Sequence, residues 1–259
     1  MQSVVRTVAL VVLACASAAF ARVDQDSIVG LWLFDEADGD TARDSSRKGN
    51  DGTLMEGPTR VAGRLKDALL FDGVDDYVVV EHDPTLDITE EITIFAWAKL
   101  ETIPAHEWVM LDKGPQAGSA QYYVAYEPAE NAFMLNFNGA AWHAGDDFNS
   151  PPVGPDLEWH HMAASFHPDS DTIIVCVDGD CATHTTDDDL VSKGDEPLVI
   201  GTARFLQDDV AWYFNGALDE VGVLDVALNE TDMASLLGGV LAVAPGSRLA
   251  TRWGDLKRR

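Results

Sequence analysis

Glu36, Asp72, Asp75 and Asp219 have the widest chemical reach in this sequence. Each carboxylate lies in a polar turn beside an apolar run rich in β-branched and aromatic residues. Calcium requires six to eight hard oxygens, mostly from carboxylates and carbonyls. The stretch Phe71-Asp-Gly-Val-Asp-Asp-Tyr-Val-Val-Val-Glu81 has an echo at Phe214-Asn-Gly-Ala-Leu-Asp-Glu-Val-Gly-Val223. If the first and last strands are neighbours, Glu36 and Asp219 converge, and the 71–76 elbow adds carbonyls. That set would hold a structural calcium ion. The plainer alternative makes Asp72, Asp75 and Asp219 turn formers that accept hydrogen bonds from nearby backbone N–H groups.

A second group is Trp142, His143 and Asp146, with Asp147, in the Gly-, Asp- and Pro-rich segment 138–157. Aromatic and acidic side chains on loops suit stacking against sugar rings and recognition of hydroxyls. The alternative is a loop that packs its Trp onto a sheet. A ligand site is expected in the loops between residues 101 and 158 rather than at the 71–81 elbow. Trp97, Trp108, Tyr122, Tyr123 and Tyr126 lie in strand-like runs and serve either a concave face or the core. His160 and His161 are strand neighbours whose side chains face opposite ways, so they cannot form one bidentate metal pair. Catalysis has little support. Retaining glycoside hydrolysis needs two carboxyl groups about 5 Å apart, and no strand carries acids at alternate positions. Gly-x-Ser-x-Gly, His-Glu-x-x-His and phosphate-binding glycine loops are also missing.

Cys176-Val-Asp-Gly-Asp-Cys181 reads as a hairpin closed by Asp178-Gly179, because a type I′ turn needs positive φ at both central residues. Cys176 and Cys181 then oppose each other in a non-hydrogen-bonded pair, where Cα atoms come closest. A disulfide follows, and it fits an oxidising compartment.

These groups need a β framework. Runs at 27–34, 53–55, 69–71, 77–81, 92–100, 107–111, 121–127, 132–137, 159–166, 172–177, 198–200 and 213–224 are short and separated by Gly, Asn, Asp and Pro. Residues 35–52 form a polar loop. In 92–100 the alternation puts Ile92, Ile94, Ala96, Ala98 and Leu100 on one face and Thr93, Phe95, Trp97 and Lys99 on the other. The one predicted helix is Glu230 to Leu237, with Asn229 as N-cap, Asp232 in its first turn and Gly238 at its end. Many short strands and one short helix predict an all-β sandwich.

The N-terminus reads as a signal peptide over 1–21, with Arg6, an apolar core from Val8 to Ala19 and the small-x-small site Ala19-Phe20-Ala21. Secretion is the reading adopted. A competing reading makes Leu13-Ala14-Cys15 a lipoprotein processing site and anchors the chain through lipidated Cys15. No later stretch reads as a transmembrane helix. The formal net charge of −27 argues against nucleic acid and anionic membranes, which need clustered cations. Most of those acids belong to a solvated surface. Residues 26–239 read as one domain. Residues 240–259 form a separate tail, in which five of the 17 basic residues (Arg248, Arg252, Lys257, Arg258 and Arg259) fall in the last twelve positions.

Six pieces resemble, in order, the laminin-G-like branch of the concanavalin A-like lectin/glucanase superfamily. They are Gly30-Leu-Trp-Leu-Phe-Asp-Glu36, Asp44-Ser-Ser with Gly49-Asn-Asp-Gly52-Thr, Phe71-Asp-Gly-Val-Asp-Asp-Tyr77, Trp159-His-His-Met-Ala163, Val177-Asp-Gly179 and Phe214-Asn-Gly-Ala-Leu-Asp-Glu-Val221. The resemblance implies a jelly roll of two antiparallel sheets, a structural calcium and binding of glycans or proteins, usually without catalysis. It also makes His160 a structural residue. Leu249-Ala-Thr-Arg-Trp-Gly-Asp-Leu-Lys257 looks like a tail that follows such domains in some secreted bacterial proteins. The expectation is a secreted, non-catalytic module that recognises carbohydrate. The alternative is a cell-surface structural or protein-adhesion domain that uses the tail for attachment or sorting. A glycoside hydrolase relative stands third.

Overall fold

The computed structural model describes residues 23–114, 120–137, 148–154, 156–187, 189–190, 194–203 and 212–240. The strands in chain order are β1 (Ile28–Trp32), β2 (Thr41–Ala42), β3 (Gly52–Met55), β4 (Thr59–Ala62), β5 (Asp67–Asp72), β6 (Tyr77–Val80), β7 (Ile92–Leu100) and β8 (Trp108–Lys113). They continue with β9 (Tyr122–Glu127), β10 (Ala132–Phe137), β11 (Phe148–Asn149), β12 (Trp159–His167), β13 (Thr172–Val177), β14 (Asp180–Thr185), β15 (Leu198–Ile200) and β16 (Asn215–Leu224). One helix, α1 (Glu230–Ser235), follows them.

The strands form two antiparallel sheets of eight. The first runs β14-β13-β12-β7-β16-β5-β4, with β1 also paired to β16, and the second runs β11-β10-β9-β8-β15-β6-β3-β2. This is the jelly-roll sandwich of the concanavalin A-like type. The alternation read from residues 92–100 explains the packing of β7. Ile92, Ile94, Ala96, Ala98 and Leu100 enter the core between the sheets, with Trp32, Phe71, Tyr122, Tyr126 and Phe214. The other face of β7 is covered as well. Phe95 packs with Leu228, Met233 and Leu236 around α1, and the Arg64 guanidinium lies 4.6 Å from the Trp97 ring centre. Of the five strand aromatics, Trp108, Tyr122 and Tyr126 are core residues. Tyr123 joins a small cluster on the outer face of the second sheet with Val109, Ala125, Met134 and Trp212.

β16 positions most of the chain. One edge pairs with β7 along its length. The other edge is shared: Asn215–Leu218 pair with β5 and Val221–Leu224 with β1. Between these halves β16 bulges at Asp219 and Glu220, and Glu220 takes φ 49°. The first and last strands are therefore neighbours, and so are the two similar stretches. Asp72 opposes Asn215, Gly216 opposes Phe71, and the Phe71 and Phe214 rings meet edge-on at 6.3 Å. Gly73, at φ 76°, lies so close to Asn215 that a Cβ there would stand 2.6 Å from the Asn215 Cβ.

Three short strands lie outside the runs read as strands: β2 and β11 in segments read as loops, and β4 in a stretch with no predicted element. Their sequences are mostly polar or only two residues long, so no apolar alternation marks them. The helix starts as expected, with Asn229 Oδ1 accepting from Asp232 N at 3.0 Å. Its end differs. Residues 236–238 tighten into a 3₁₀ turn, and Gly239, rather than Gly238, takes a positive φ, 88°. Asp178 and Gly179 both have positive φ, Cys176 opposes Cys181, and the disulfide between them is formed. No helix among the described residues is long and apolar enough to cross a membrane.

Candidate functional site

The four acids read as one calcium set fall on different partners. Glu36 forms an ion pair with Arg60 at 3.1 Å and accepts from the Arg43 N–H at 2.9 Å. Arg60 also donates to the Phe34, Gly39 and Thr41 carbonyls, so the charge of Glu36 is met by a guanidinium. Asp219 is fully buried at the β16 bulge, and its Oδ2 accepts from Leu65 N at 2.8 Å. It fastens the turn between β4 and β5. Burial is the main cause that pushes its pKa up to about 7; the Leu65 N–H bond opposes this and the charge of neighbouring Glu220 adds to it.

Asp72 and Asp75 do come together, and they are joined by Asp76. Ligand oxygens of the three lie within 4.8 Å of one another. Asp72 Oδ1 accepts from Val74 N and Asp75 N, which is the turn-forming role, while its own N–H donates to Asp76 Oδ2 at 3.0 Å. Asp76 is buried, and burial raises its pKa, with the charges of Asp72, Asp75 and Glu56 acting in the same direction. The remaining carboxylate oxygens of this triad are hard donors suited to calcium, with carbonyls or water needed to complete the shell. Sequence reading passed over Asp76 because it immediately precedes the β6 run. The available signal was three acids in five positions around a glycine.

The elbow leads directly into a cavity on the outer face of the second sheet. Val78 and Val80 of β6 enter the core, so Tyr77, Val79 and Glu81 face outward. With Glu196, Pro197, Val199, Thr202, Ala203 and Tyr213 they line a space of about 430 Å³. The Tyr77 and Tyr213 rings stand 6.4 Å apart, tilted by 45°. Burial raises the pKa of Tyr213, and Tyr77, Asp75 and Glu56 raise it further, so the acids of the elbow are felt inside the aromatic wall. Apolar ring faces beside a few hydrogen-bonding groups are what a small polar ligand needs. A more open cleft of about 570 Å³, lined by Asp35, Glu36, Asp38 and Arg43 among others, lies over the 35–45 loop.

Trp142, His143 and Asp146 lie outside the described residues. The cavity that is described is built from segments 77–81, 196–203 and 213. The two histidines point apart, as strand neighbours must. His160 is held between Asp178 at 2.6 Å and Asp156 at 2.9 Å. His161 is buried against Trp97, ring centres 5.2 Å apart, and burial lowers its pKa to about 4 despite the charge of Asp178.

No curated protein matches the sequence. Among solved structures, the chain is similar to domain 4 of AbnA, a GH43 extracellular arabinanase from Geobacillus stearothermophilus, in complex with arabinotriose. The identity is 17% and the TM-score 0.60, over 82% of this chain and 98% of that one. It is also similar to the binding domain of botulinum neurotoxin DC in complex with rat synaptotagmin II, at 10% identity and TM-score 0.63, over 83% of this chain and 52% of that one. A third is Trypanosoma rangeli sialidase in complex with the inhibitor DANA, at 15% identity and TM-score 0.56, over 80% of this chain and 32% of that one. This chain thus spans about half of the toxin fragment and a third of the sialidase. At these identities the likeness is one of fold. Residues 72–234 match the laminin G model of the concanavalin A-like lectin/glucanases superfamily, more than half of the sequence. The chain therefore belongs to the laminin G branch of that superfamily.

Proposed function

We propose that this is a secreted, non-catalytic carbohydrate-binding module whose ligand sits on the outer face of the second sheet. The observation that carries the reading is the cavity walled by Tyr77 and Tyr213, with Glu81, Glu196 and Thr202 as its polar groups. A sugar ring offers C–H groups to stack on tyrosine and hydroxyls to donate to carboxylates. That an arabinanase domain of the same fold is seen with arabinotriose supports the class of ligand. The disulfide supports export. The non-catalytic part rests on the environment of Glu81, one of the two glutamates of the cavity. A glycosidase general acid sits in an apolar pocket that keeps it protonated, whereas Glu81 is exposed to solvent.

In this reading the Asp72, Asp75 and Asp76 elbow holds a structural calcium beside the cavity. The test is a glycan array in millimolar calcium, followed by calorimetry with Tyr77→Ala. Binding of at least one glycan, lost in the variant, is expected; no glycan bound would overturn the reading. Thermal unfolding with calcium and with chelator tests the ion separately, and an unchanged midpoint would sink it. Release of reducing sugar from a bound glycan would overturn the non-catalytic assignment.

Protein adhesion is the second reading. Val74 at the tip of the elbow is 66% exposed, an apolar side chain offered to a partner between acids. The 240–259 tail assigned to attachment in that reading lies outside the described residues beyond Val240.

A further inference from the structure

Lys113, at the end of β8, is a buried lysine whose side chain is 1% exposed. Lysine is almost never found in that state unless it is paired. Its Nζ donates to Asp87 Oδ1 at 2.8 Å, with the Gly194 carbonyl further off at 3.5 Å. Asp87 follows the 3₁₀ turn Pro84–Leu86, in the crossover from β6 of the second sheet to β7 of the first. Both of its chain neighbours are pinned by buried side chains. Tyr122 Oη donates to the Leu86 carbonyl at 3.0 Å, and Gln121 Nε2 donates to the Ile88 carbonyl at 2.7 Å. Leu86 and Ile88 are themselves anchored in the core. The Asp87 carboxyl group is thus fixed against the lysine amine. Its second oxygen, Oδ2, faces His82 Nε2 at 3.9 Å, and the same nitrogen is 3.5 Å from Asp195 Oδ1.

A buried ion pair bears the desolvation cost of two charges. Condensation to an amide removes both charges at once. Groups held in a reactive geometry behave as if at very high concentration, and here the carboxyl carbon is one C–O bond beyond the oxygen that Nζ already touches. The water formed has a way out past His82, whose side chain is 22% exposed.

We propose that Lys113 and Asp87 join in an intramolecular amide bond. Nζ passes a proton to the carboxyl group, attacks Cγ and forms the C–N bond. The Cγ–Oδ2 bond breaks, and Oδ2 leaves as water. Two of the three ammonium protons depart in that water and the third stays on the amide nitrogen, so nothing is oxidised or reduced. His82 Nε2 carries a proton to the leaving oxygen. The bond links residues 26 positions apart and fastens the crossover between the sheets to β8. It is independent of the carbohydrate-binding reading.

The test is intact-mass spectrometry of the full chain after prolonged incubation at neutral pH, with trypsin digestion of the denatured, reduced protein. The expected mass is one water below that of the processed, disulfide-bonded chain. Trypsin is expected to leave the chain uncut after Lys113, and the peptide that contains Lys113 is expected to be fused to the one that contains Asp87. Lys113→Met is expected to restore the full mass. His82→Asn, with its fold checked by circular dichroism, is expected to lower the cross-linked fraction at equal times; an unchanged fraction would overturn the part given to His82. A wild-type chain of full mass that is cut after Lys113 would overturn the amide bond. So would a lost water that maps to an Asp-Gly step such as Asp178-Gly179, where a succinimide forms instead.

Discussion

Asp44 accepts five hydrogen bonds: from Leu31 N, Ser46 N, Ser46 Oγ, Gly49 N and Asn50 N. One carboxylate thereby ties β1 to the 45–50 loop, and Asn50 passes the link on to the Val29 carbonyl and Thr85. Removing it leaves several donors without an acceptor. Asp44→Ala is expected to cost about 3 kcal/mol, a fall of roughly 10 °C in the thermal midpoint by differential scanning calorimetry. Asp219 behaves differently, because burial raises its folded pKa to about 7 from 3.8. Its Oδ1 has no hydrogen-bond partner among the described residues. A folded pKa above the unfolded one favours the native state below pH 3.8, and that benefit is lost as pH rises to about 7. Asp219→Asn keeps an acceptor for Leu65 N and cannot ionise. Between pH 4 and pH 8 its stability relative to wild type is expected to improve by up to a few kcal/mol; no change in the difference would contradict the burial of this charge. The acids were legible in sequence as residues beside strand ends. Which of them meets Arg60, which meets a backbone N–H and which meets other acids was not, because partners such as Arg60 and Leu65 come from strands and turns distant in the chain.

At the scale of elements, the turns that carry function are fixed by backbone geometry. Gly73 holds the acidic elbow at φ 76° against Asn215. Gly73→Ala adds a strained backbone and a contact of 2.6 Å on the Asn215 Cβ, at a cost of about 2–3 kcal/mol. In the same variant the site at Tyr77 should weaken, since β6 starts from this elbow; urea unfolding and the glycan titration read the two effects separately. The β13–β14 hairpin carries a disulfide across a sequence separation of five. A loop this small constrains the unfolded chain little, so reduction is expected to cost about 2 kcal/mol and to leave the sandwich folded by circular dichroism. Strands such as β7, β10, β13 and β15 were legible to the residue, since buried strands are continuous apolar or alternating runs. β4 was not, because an edge strand with the pattern Thr-Arg-Val-Ala needs no apolar face.

Across the whole molecule, His160, Asp219 and His161 are among the groups whose shifted pKa values make stability respond to pH. Burial works against a charge on His160, yet hydrogen bonds to Asp178 and Asp156 and their charges outweigh it and raise its pKa above 6.5. A raised folded pKa gives stability that is present below pH 6.5 and lost as pH rises through the folded value. Asp219 loses its contribution towards pH 7 in the same direction. His161 has the opposite sign: its folded pKa of about 4 means that stability is lost as pH falls from 6.5 towards 4. Above pH 6.5 His160 and Asp219 lose their contributions while that of His161 is complete, and the raised pKa values of Asp76 and Glu220 carry the same sign as Asp219, so the protein is expected to melt at a lower temperature at pH 8 than at pH 6. A His160→Asn, Asp219→Asn double variant should flatten that slope, and a midpoint independent of pH in the wild type would contradict it. The sequence by itself determined the class of fold, the disulfide hairpin, the N-capped helix and the family. Each depends on local periodicity, turn chemistry or motif order, which the chain carries in its own neighbourhood. Tertiary structure decided where carboxylates gather and where a cavity opens. β16 brings residue 215 beside residue 72, and Tyr213 comes to stand against Tyr77. Pairings more than a hundred residues apart are set by the packing of two sheets, and no spacing within the sequence encodes them.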